Sequence, residues 1–343
     1  MNTDERHAAR GRIQGDERHA ARSRSIQDGG GVAQDDRGRL QRRHGFGHWC
    51  AHTGWRHLVG VLAVGFAAFP IVYVVSASLS SVNSMTAANN LFATVTGRNY
   101  ALLSCDPATV AAADVSDCNY VAGFWQWFAN TLAISVATAV GTVLMGAAAA
   151  YAFSRFRFAG RRVGLTSLLI IQMFPQMLAF VAILLLLITL GAISPALGVG
   201  SKIALVAVYL GGALGANTFL MYGFFNTIPK SLDEAAKIDG ATHAQTFWTI
   251  IMPLVTPILA VVGLLSFIAS FGEYILASVA LGGSSTDNWT LAMGLYALVG
   301  DSRSPHLTLF AAGAVIAALP VLLLFLFLQK YIVSGLTGGA VKG

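Results

Sequence analysis

The chain has 343 residues, 55% of them hydrophobic and only 11% charged, far below the roughly 25% charge of a soluble domain. A formal net charge of +6 would suit nucleic acid only on a soluble fold, which this composition excludes. The charge is also concentrated at one end: residues 1–57 hold 11 of the 22 basic and 7 of the 16 acidic side chains.

The first 56 residues are rich in Arg, Asp, Gly, Gln and Ser. They carry a duplication, Asp4-Glu5-Arg6-His7-Ala8-Ala9-Arg10 followed by Asp16-Glu17-Arg18-His19-Ala20-Ala21-Arg22. Mixed charge and few large apolar groups leave too little burial to offset ordering entropy, so this extension is expected to be disordered, with at most a fraying helix in each copy. A signal peptide is not expected, because the first apolar run begins near His57 and is long enough to span a bilayer.

Six apolar segments follow, at about 57–79, 128–152, 165–190, 203–225, 254–281 and 309–329. Each meets the roughly 20 residues a helix needs to cross about 30 Å of hydrocarbon. The expected fold is therefore all-α, with six transmembrane helices. Loop charge sets the orientation. Arg155, Arg157, Arg161 and Arg162 crowd the second loop without an acid, whereas the first (80–127) sets Arg98 against Asp106, Asp114 and Asp117, and the fifth (282–308) sets Arg303 against Asp287 and Asp301. Both termini and the loop carrying Glu234 are then placed in the cytoplasm. Cys105 and Cys118 fall in an external loop, where a bridge and two free thiols are both open readings.

Pro175, Pro257 and Pro320 remove backbone donors within the third, fifth and sixth segments, which suggests bent helices lining a cavity. Gly211 and Gly215 are spaced for close helix approach in the fourth. Glu273 is the sole formally charged residue inside an expected span, so it is a functional candidate by default, with gating and a structural hydrogen bond standing beside solute contact as readings. Gln172, Gln176, Asn217, Ser266, Ser270 and Glu273 form the candidate polar path, since amides and hydroxyls in lipid need partners and a sugar needs directional hydrogen bonds. The same polar groups also serve as glue between helices. The histidines form no metal constellation, and no hydrolase pattern is present.

Between the fourth and fifth apolar segments lies a short polar helix. Ser231 and Glu234 are spaced as a capping box, Pro229 precedes it, and Gly240 follows Asp239 to stop it. A second short helix can start at Thr242 and run through Phe247 and Trp248 into Pro253. Ala235 and Ala236 leave the middle of the first helix thin enough for a partner's groove, with Leu232 and Ile238 as apolar anchors. A membrane-surface helix would need a Lys/Arg-rich polar face, which is missing.

Glu234-Ala235-Ala236, Asp239-Gly240-Ala241, Phe247, Pro253 and Pro257 closely resemble the EAA signature of ABC-importer permeases. Residues 309–343, ending Gly338-Gly339-Ala340-Val341-Lys342-Gly343, are similar to the carboxyl terminus of the second, smaller permease subunit of maltose-type importers. The resemblance covers roughly 57–343. It implies a type I importer permease domain with a coupling helix at about 231–247, in which Glu234, Ala235, Ala236, Asp239, Gly240 and Ala241 seat in an ATPase groove. Gly338, Gly339 and Lys342 would reach toward the same ATPase dimer, and the loop from Gly282 to His306 would meet an extracytoplasmic sugar-binding protein. A second, different permease completes the pathway in the bacterial or archaeal cell membrane. The chain has no Gly-x-x-x-x-Gly-Lys-Ser/Thr loop, so ATP and Mg are assigned to the partner ATPase and no catalytic residue or metal to this chain. The rival reading is an ion-coupled secondary carrier, which should show internal repeats and paired polar breaks that this chain lacks.

Overall fold

The computed structural model describes residues 32–34, 40–42, 54–82, 91–105, 115–173, 176–300 and 305–340. The chain divides into two compact units, residues 1–72 and 73–343. In the first, strands β1 (Val32–Gln34) and β2 (Leu40–Arg42) pair antiparallel, with Ala33 opposite Gln41. The duplicated segments at 4–10 and 16–22, and the disorder expected of them, lie outside the described residues.

Helix α1 (Trp55–Ser78) is the first apolar segment. Two short helices follow, α2 (Arg98–Leu102) and α3 (Val115–Val121), and Cys105 joins Cys118 in a disulfide that ties them together. Of the two readings left open by the sequence, the bridge is the one found. Asp117 adds a second tie: its carboxylate lies 2.8 Å from Arg98 and 3.2 Å from His306.

The centre of the second unit is α4 (Phe124–Arg155), which packs along α7 (Lys202–Phe225) and α11 (Thr256–Phe271). Between α4 and α7 come α5 (Arg161–Met173) and α6 (Phe180–Ile193), separated by a tight 3-10 turn at Gln176–Ala179. The third apolar segment is thus two helices rather than one; Pro175 lies outside the described residues. Gly215 of α7 allows the close approach expected of it, because a Cβ there would strike Gln172 and the Leu168 carbonyl of α5. Gly211 meets no neighbour and instead lines a groove.

After α7 the chain forms α8 (Ser231–Ile238) and α9 (His243–Gln245). A π-helical stretch, Thr246–Ile251, leads into α10 (Met252–Leu254). The chain then bends by 80° at Val255 into α11. Pro257 sits in the first turn of α11, where its missing N–H costs nothing, so it starts the helix rather than bending a continuous span. The fifth segment ends early as well: α11 stops at Phe271, and α12 (Ile275–Leu281) begins after a break at Gly272–Tyr274. Among the described residues four helices are long and apolar enough to cross a membrane, and the bent pair at Val255 makes a fifth.

The segment 282–308 holds a 3-10 turn at Thr286–Asn288 and a half-buried helix, α13 (Leu291–Gly300), before α14 (Leu307–Ala340) closes the unit. Ten residues are too short to span, yet α13 packs on α4 and α14 through Leu291, Leu295 and Leu298. Trp127 is held beside it by donating from Nε1 to the Thr286 carbonyl at 2.9 Å. A Cβ at Gly294 would overlap the Trp127 ring, which is 4% exposed and cannot swing away. Gly294→Ala should therefore cost about 1–3 kcal/mol, as overpacking does. The check is a detergent melting curve, and an unchanged midpoint would mean that the indole has room to move.

Candidate functional site

Residues 226–255 form the connection between α7 and α11. Lys230 is the N-cap of α8 although its own backbone is already helical, and Ser231 is the first residue of the helix. No side chain caps this helix, and the box expected from Ser231 and Glu234 is not made; the Glu234 amide bonds instead to the Lys230 carbonyl at 3.1 Å. The reciprocal box forms eleven residues downstream, at Thr242 and Gln245. There the Gln245 amide donates to the Thr242 hydroxyl (3.3 Å) and the Thr242 amide to Gln245 Oε1 (2.8 Å).

The stop at Gly240 is as the sequence suggests. Gly240 has φ +80°, its amide donates to the Lys237 carbonyl, and the Ala241 amide donates to the Ala236 carbonyl at 2.9 Å. These two bonds are the 5→2 and 6→1 pair of a Schellman ending, which satisfies the last carbonyls of α8 and turns the chain into α9.

α8 exposes Glu234, Ala235, Lys237 and Asp239 together, with Leu232 38% and Ile238 86% exposed. Ala236 departs from the expectation. At 4% exposure it is buried against its own chain, so it seats the helix inward rather than offering room to a partner. Two residues that the sequence did not single out for this connection fasten it. Arg155, its side chain only 5% exposed, places Nε 2.9 Å from Asp233 Oδ2 and donates from a terminal nitrogen to the Ile228 carbonyl at 3.1 Å. Their signal in the sequence is an arginine at the end of an acid-free loop and an acid in the facing loop.

A second feature lies between α4, α7 and α11. A cavity of about 270 Å³ is lined by Thr138, Tyr209, Asn217, Ser266, Ser270 and Glu273, among others. Four of the candidate path residues meet here. The Glu273 carboxylate accepts from the Tyr209 hydroxyl at 2.8 Å and from the amides of Leu276 and Ala277 at 2.8 and 2.9 Å. It thereby caps α12 across the break and anchors it to α7, while its side chain also borders the cavity. Asn217 donates to the Ala213 carbonyl (2.9 Å) and to the Ser266 hydroxyl (3.3 Å), and Ser270 donates back to the Ser266 carbonyl (2.8 Å). Thr138 and Tyr209 are the polar wall residues that sequence reasoning missed: Tyr209 holds Glu273, and Thr138 is 2% exposed with a buried hydroxyl that has no protein partner among the described residues.

Gln172 does not join this cavity. Its amide donates to the Gly212 carbonyl at 2.7 Å and borders a separate, largely apolar groove of about 900 Å³ between α5, α6 and α7. The side chain of Gln176 and the whole of Lys342 lie outside the described residues. Gly338 and Gly339 are in the last helical turn of α14. Among the described residues no group of His, Cys, Asp and Glu could hold a metal ion.

The sequence and fold both match known proteins. The family of binding-protein-dependent transport system inner membrane components matches over residues 142–338. The maltodextrin transport system permease protein MdxG of Bacillus subtilis is 44% identical over 220 residues, covering 64% of this chain and 76% of that protein. The galactooligosaccharides transport system permease protein GanQ of the same organism is 43% identical over 218 residues, covering 64% and 74%. The maltose/maltodextrin transport system permease protein MalG of Escherichia coli is 36% identical over 290 residues, covering 84% and 95%. In fold, a crystal structure of a bacterial ABC transporter involved in the import of the acidic polysaccharide alginate contains a chain similar at a TM-score of 0.63. That match has 23% identity and covers 84% of this chain and 98% of the other.

Proposed function

Because the chain belongs to the binding-protein-dependent transport system inner membrane components, and is a multi-pass permease of an ABC importer, we propose that its cargo is an oligosaccharide of the maltodextrin type. The observation that carries this is the run of relatives named for maltodextrin, galactooligosaccharide and maltose transport, one of them matched over 95% of its length. Maltose and maltodextrin fall within the class, trehalose is a related oligosaccharide beside it, and the bound sugar is set by partners as well as by this chain.

In this reading residues 57–343 form the transmembrane domain and half of the pathway, a second permease supplies the other half, and an ATPase dimer holding ATP and Mg drives the cycle. Both termini and the α8 end face the cytoplasm. The exposed face of Glu234, Ala235, Asp239, Gly240 and Ala241 docks in the ATPase groove, with Ile238 as its apolar anchor and Ala236 as the seat behind it. Gly338, Gly339 and Lys342 extend toward the same ATPase, and the segment from Gly282 to His306 meets the sugar-binding protein. The cavity at Asn217, Ser270 and Glu273 is this subunit's share of the path, with Gln172 set apart in the groove between α5, α6 and α7; the cavity's volume suits one sugar ring, and a second subunit completes it.

Motion follows from the way α8 is fastened. The Schellman turn and the Arg155–Asp233 pair make α8, α9 and the end of α4 one body, so a displacement of the ATPase groove is delivered to α4 and, through the bend at Val255, to α11. These two helices wall the cavity, and tilting them exchanges its open side.

The test is ATPase stimulation of the reconstituted complex by its binding protein loaded with a panel of sugars. Oligosaccharide-loaded protein should stimulate hydrolysis at least severalfold over the unloaded form, and stimulation by amino acids alone would overturn the sugar assignment. Vesicles carrying this chain alone that accumulate solute on a sodium or proton gradient would favour the ion-coupled carrier.

A further inference from the structure

We propose that the turn joining α4 to α5 binds the phosphate of an anionic glycerophospholipid, with Arg157 and Arg162 as its charge partners. The site is independent of the sugar assignment and rests only on the chain being a membrane protein.

The turn holds four arginines within residues 155–162 and no acid. Two of them are used internally. Arg155 is committed to Asp233 and the Ile228 carbonyl, and Arg161 donates to the Tyr222 hydroxyl at 3.1 Å with its guanidinium 5.8 Å from the centre of that ring. Arg157 and Arg162 are exposed and make no side-chain hydrogen bond or ion pair among the described residues, so two adjacent cations remain uncompensated. They line a concavity of about 360 Å³ together with Phe158, Gly160, Arg161 and Val163.

The backbone adds to the same field. Gly160 has φ +84°, and its carbonyl takes the Gly164 amide at 2.8 Å, which makes it the residue that caps α5. Glycine has no side-chain oxygen to offer the first amides of the 13-residue helix, and the first turn contains no acid to balance the helix dipole. Positive dipole and positive side chains are thus stacked at one place, an arrangement that an anion relieves.

The surroundings select the source of that anion. The turn connects α4, which spans, to α5, whose second half exposes Leu169, Ile170 and Ile171, so it lies where hydrocarbon gives way to water. Phe158 is 46% and Val163 70% exposed, which puts apolar surface beside the two cations. A lipid meets both demands at once, its phosphate on the arginines and its glycerol and upper acyl chain on Phe158 and Val163. Free phosphate offers the same oxygens but leaves the apolar lip bare.

The experiment uses the purified full-length chain in detergent, incubated with equal amounts of phosphatidylglycerol and phosphatidylcholine, with retained lipid counted by native mass spectrometry. The wild-type protein should retain phosphatidylglycerol over phosphatidylcholine by about tenfold or more. The double variant R157Q/R162Q should fall to within about twofold of no preference, and R157K/R162K should keep most of it. If the double variant fails to fold, the single R162Q is read the same way. An unchanged ratio in either folded glutamine variant overturns the proposal. So does complete displacement of phosphatidylglycerol by excess inorganic phosphate, which would assign the arginines to a free anion.

Discussion

Uptake falls to background when Gly240 is replaced by valine, while the protein still inserts and accumulates in the membrane: that is the result expected from the way α8 ends. Gly240 holds φ +80°, and a Cβ built there meets nothing within 4 Å. The penalty is therefore conformational rather than steric crowding by neighbours. A left-handed residue other than glycine costs about 1–2 kcal/mol, and a β-branched one sits at the top of that range or above it. Near 2 kcal/mol the competent turn loses roughly 30-fold in population. The chain relaxes by giving up the bonds from Gly240 to Lys237 and from Ala241 to Ala236, which define where α8 stops and α9 begins. Gly240→Asn, which tolerates the left-handed region, should keep most of the transport. Labelled-sugar uptake in cells, normalised to the amount of protein in the membrane fraction, checks the series. Full transport by the valine variant would remove the turn from the coupling device.

The parts of this fold that were legible in the sequence are those in which length and hydropathy alone decide. α1, α4, α7 and α14 are long apolar runs, and each is one helix. The third and fifth runs look equally apolar and are broken, because hydropathy sums over a window and says nothing about direction. Two local signals did exist in the fifth. Pro257 fits a helix start better than a helix middle, and Gly272-Glu273 places a flexible residue beside a carboxylate that can cap α12. α13 was hidden for the opposite reason, since ten apolar residues are too few to span and only packing on Trp127 and α14 shows that they are a helix with one face in the core.

The candidate site divides in the same way. A backbone rule with one permissive residue, glycine after a short helix, located the stop at Gly240. The start was ambiguous because Ser231-x-x-Glu234 and Thr242-x-x-Gln245 fit the same box, and the choice rests on the conformation of a single residue, Lys230, that composition does not reveal. Ala235 and Ala236 are chemically identical neighbours, so which of them faces the core depends on the rotation of α8, and that is set by the ion pair to Arg155. The pairing itself joins residues 78 positions apart and becomes visible only once α4 and α8 are folded against each other.

That pair carries the second large effect. Arg155 is 5% exposed at its side chain and both carboxylate oxygens of Asp233 are buried, so removing the arginine leaves a desolvated acid with no compensation and an Ile228 carbonyl without its donor. Breaking a buried pair from one side costs about 3–5 kcal/mol, and because both carboxylate oxygens of Asp233 are buried the loss is expected in that range. α8 depends on little else, since it has no side-chain cap of its own and buries only Ala236. Arg155→Met keeps the length and apolar contact of the side chain while removing its charge, and it should reduce recovery of the ATPase in detergent pull-downs by about tenfold or more, with uptake falling in parallel. Asp233→Leu alone strands the arginine and should do similar damage. The double variant replaces both charges by apolar groups, and it should regain at least part of the loss, because neither ion is then left without a partner. A thermodynamic cycle over the four proteins measures the coupling directly. If the two single losses simply add, or if neither variant releases the ATPase, then α8 is held by its own backbone and the link from α4 to the docked helix must run elsewhere.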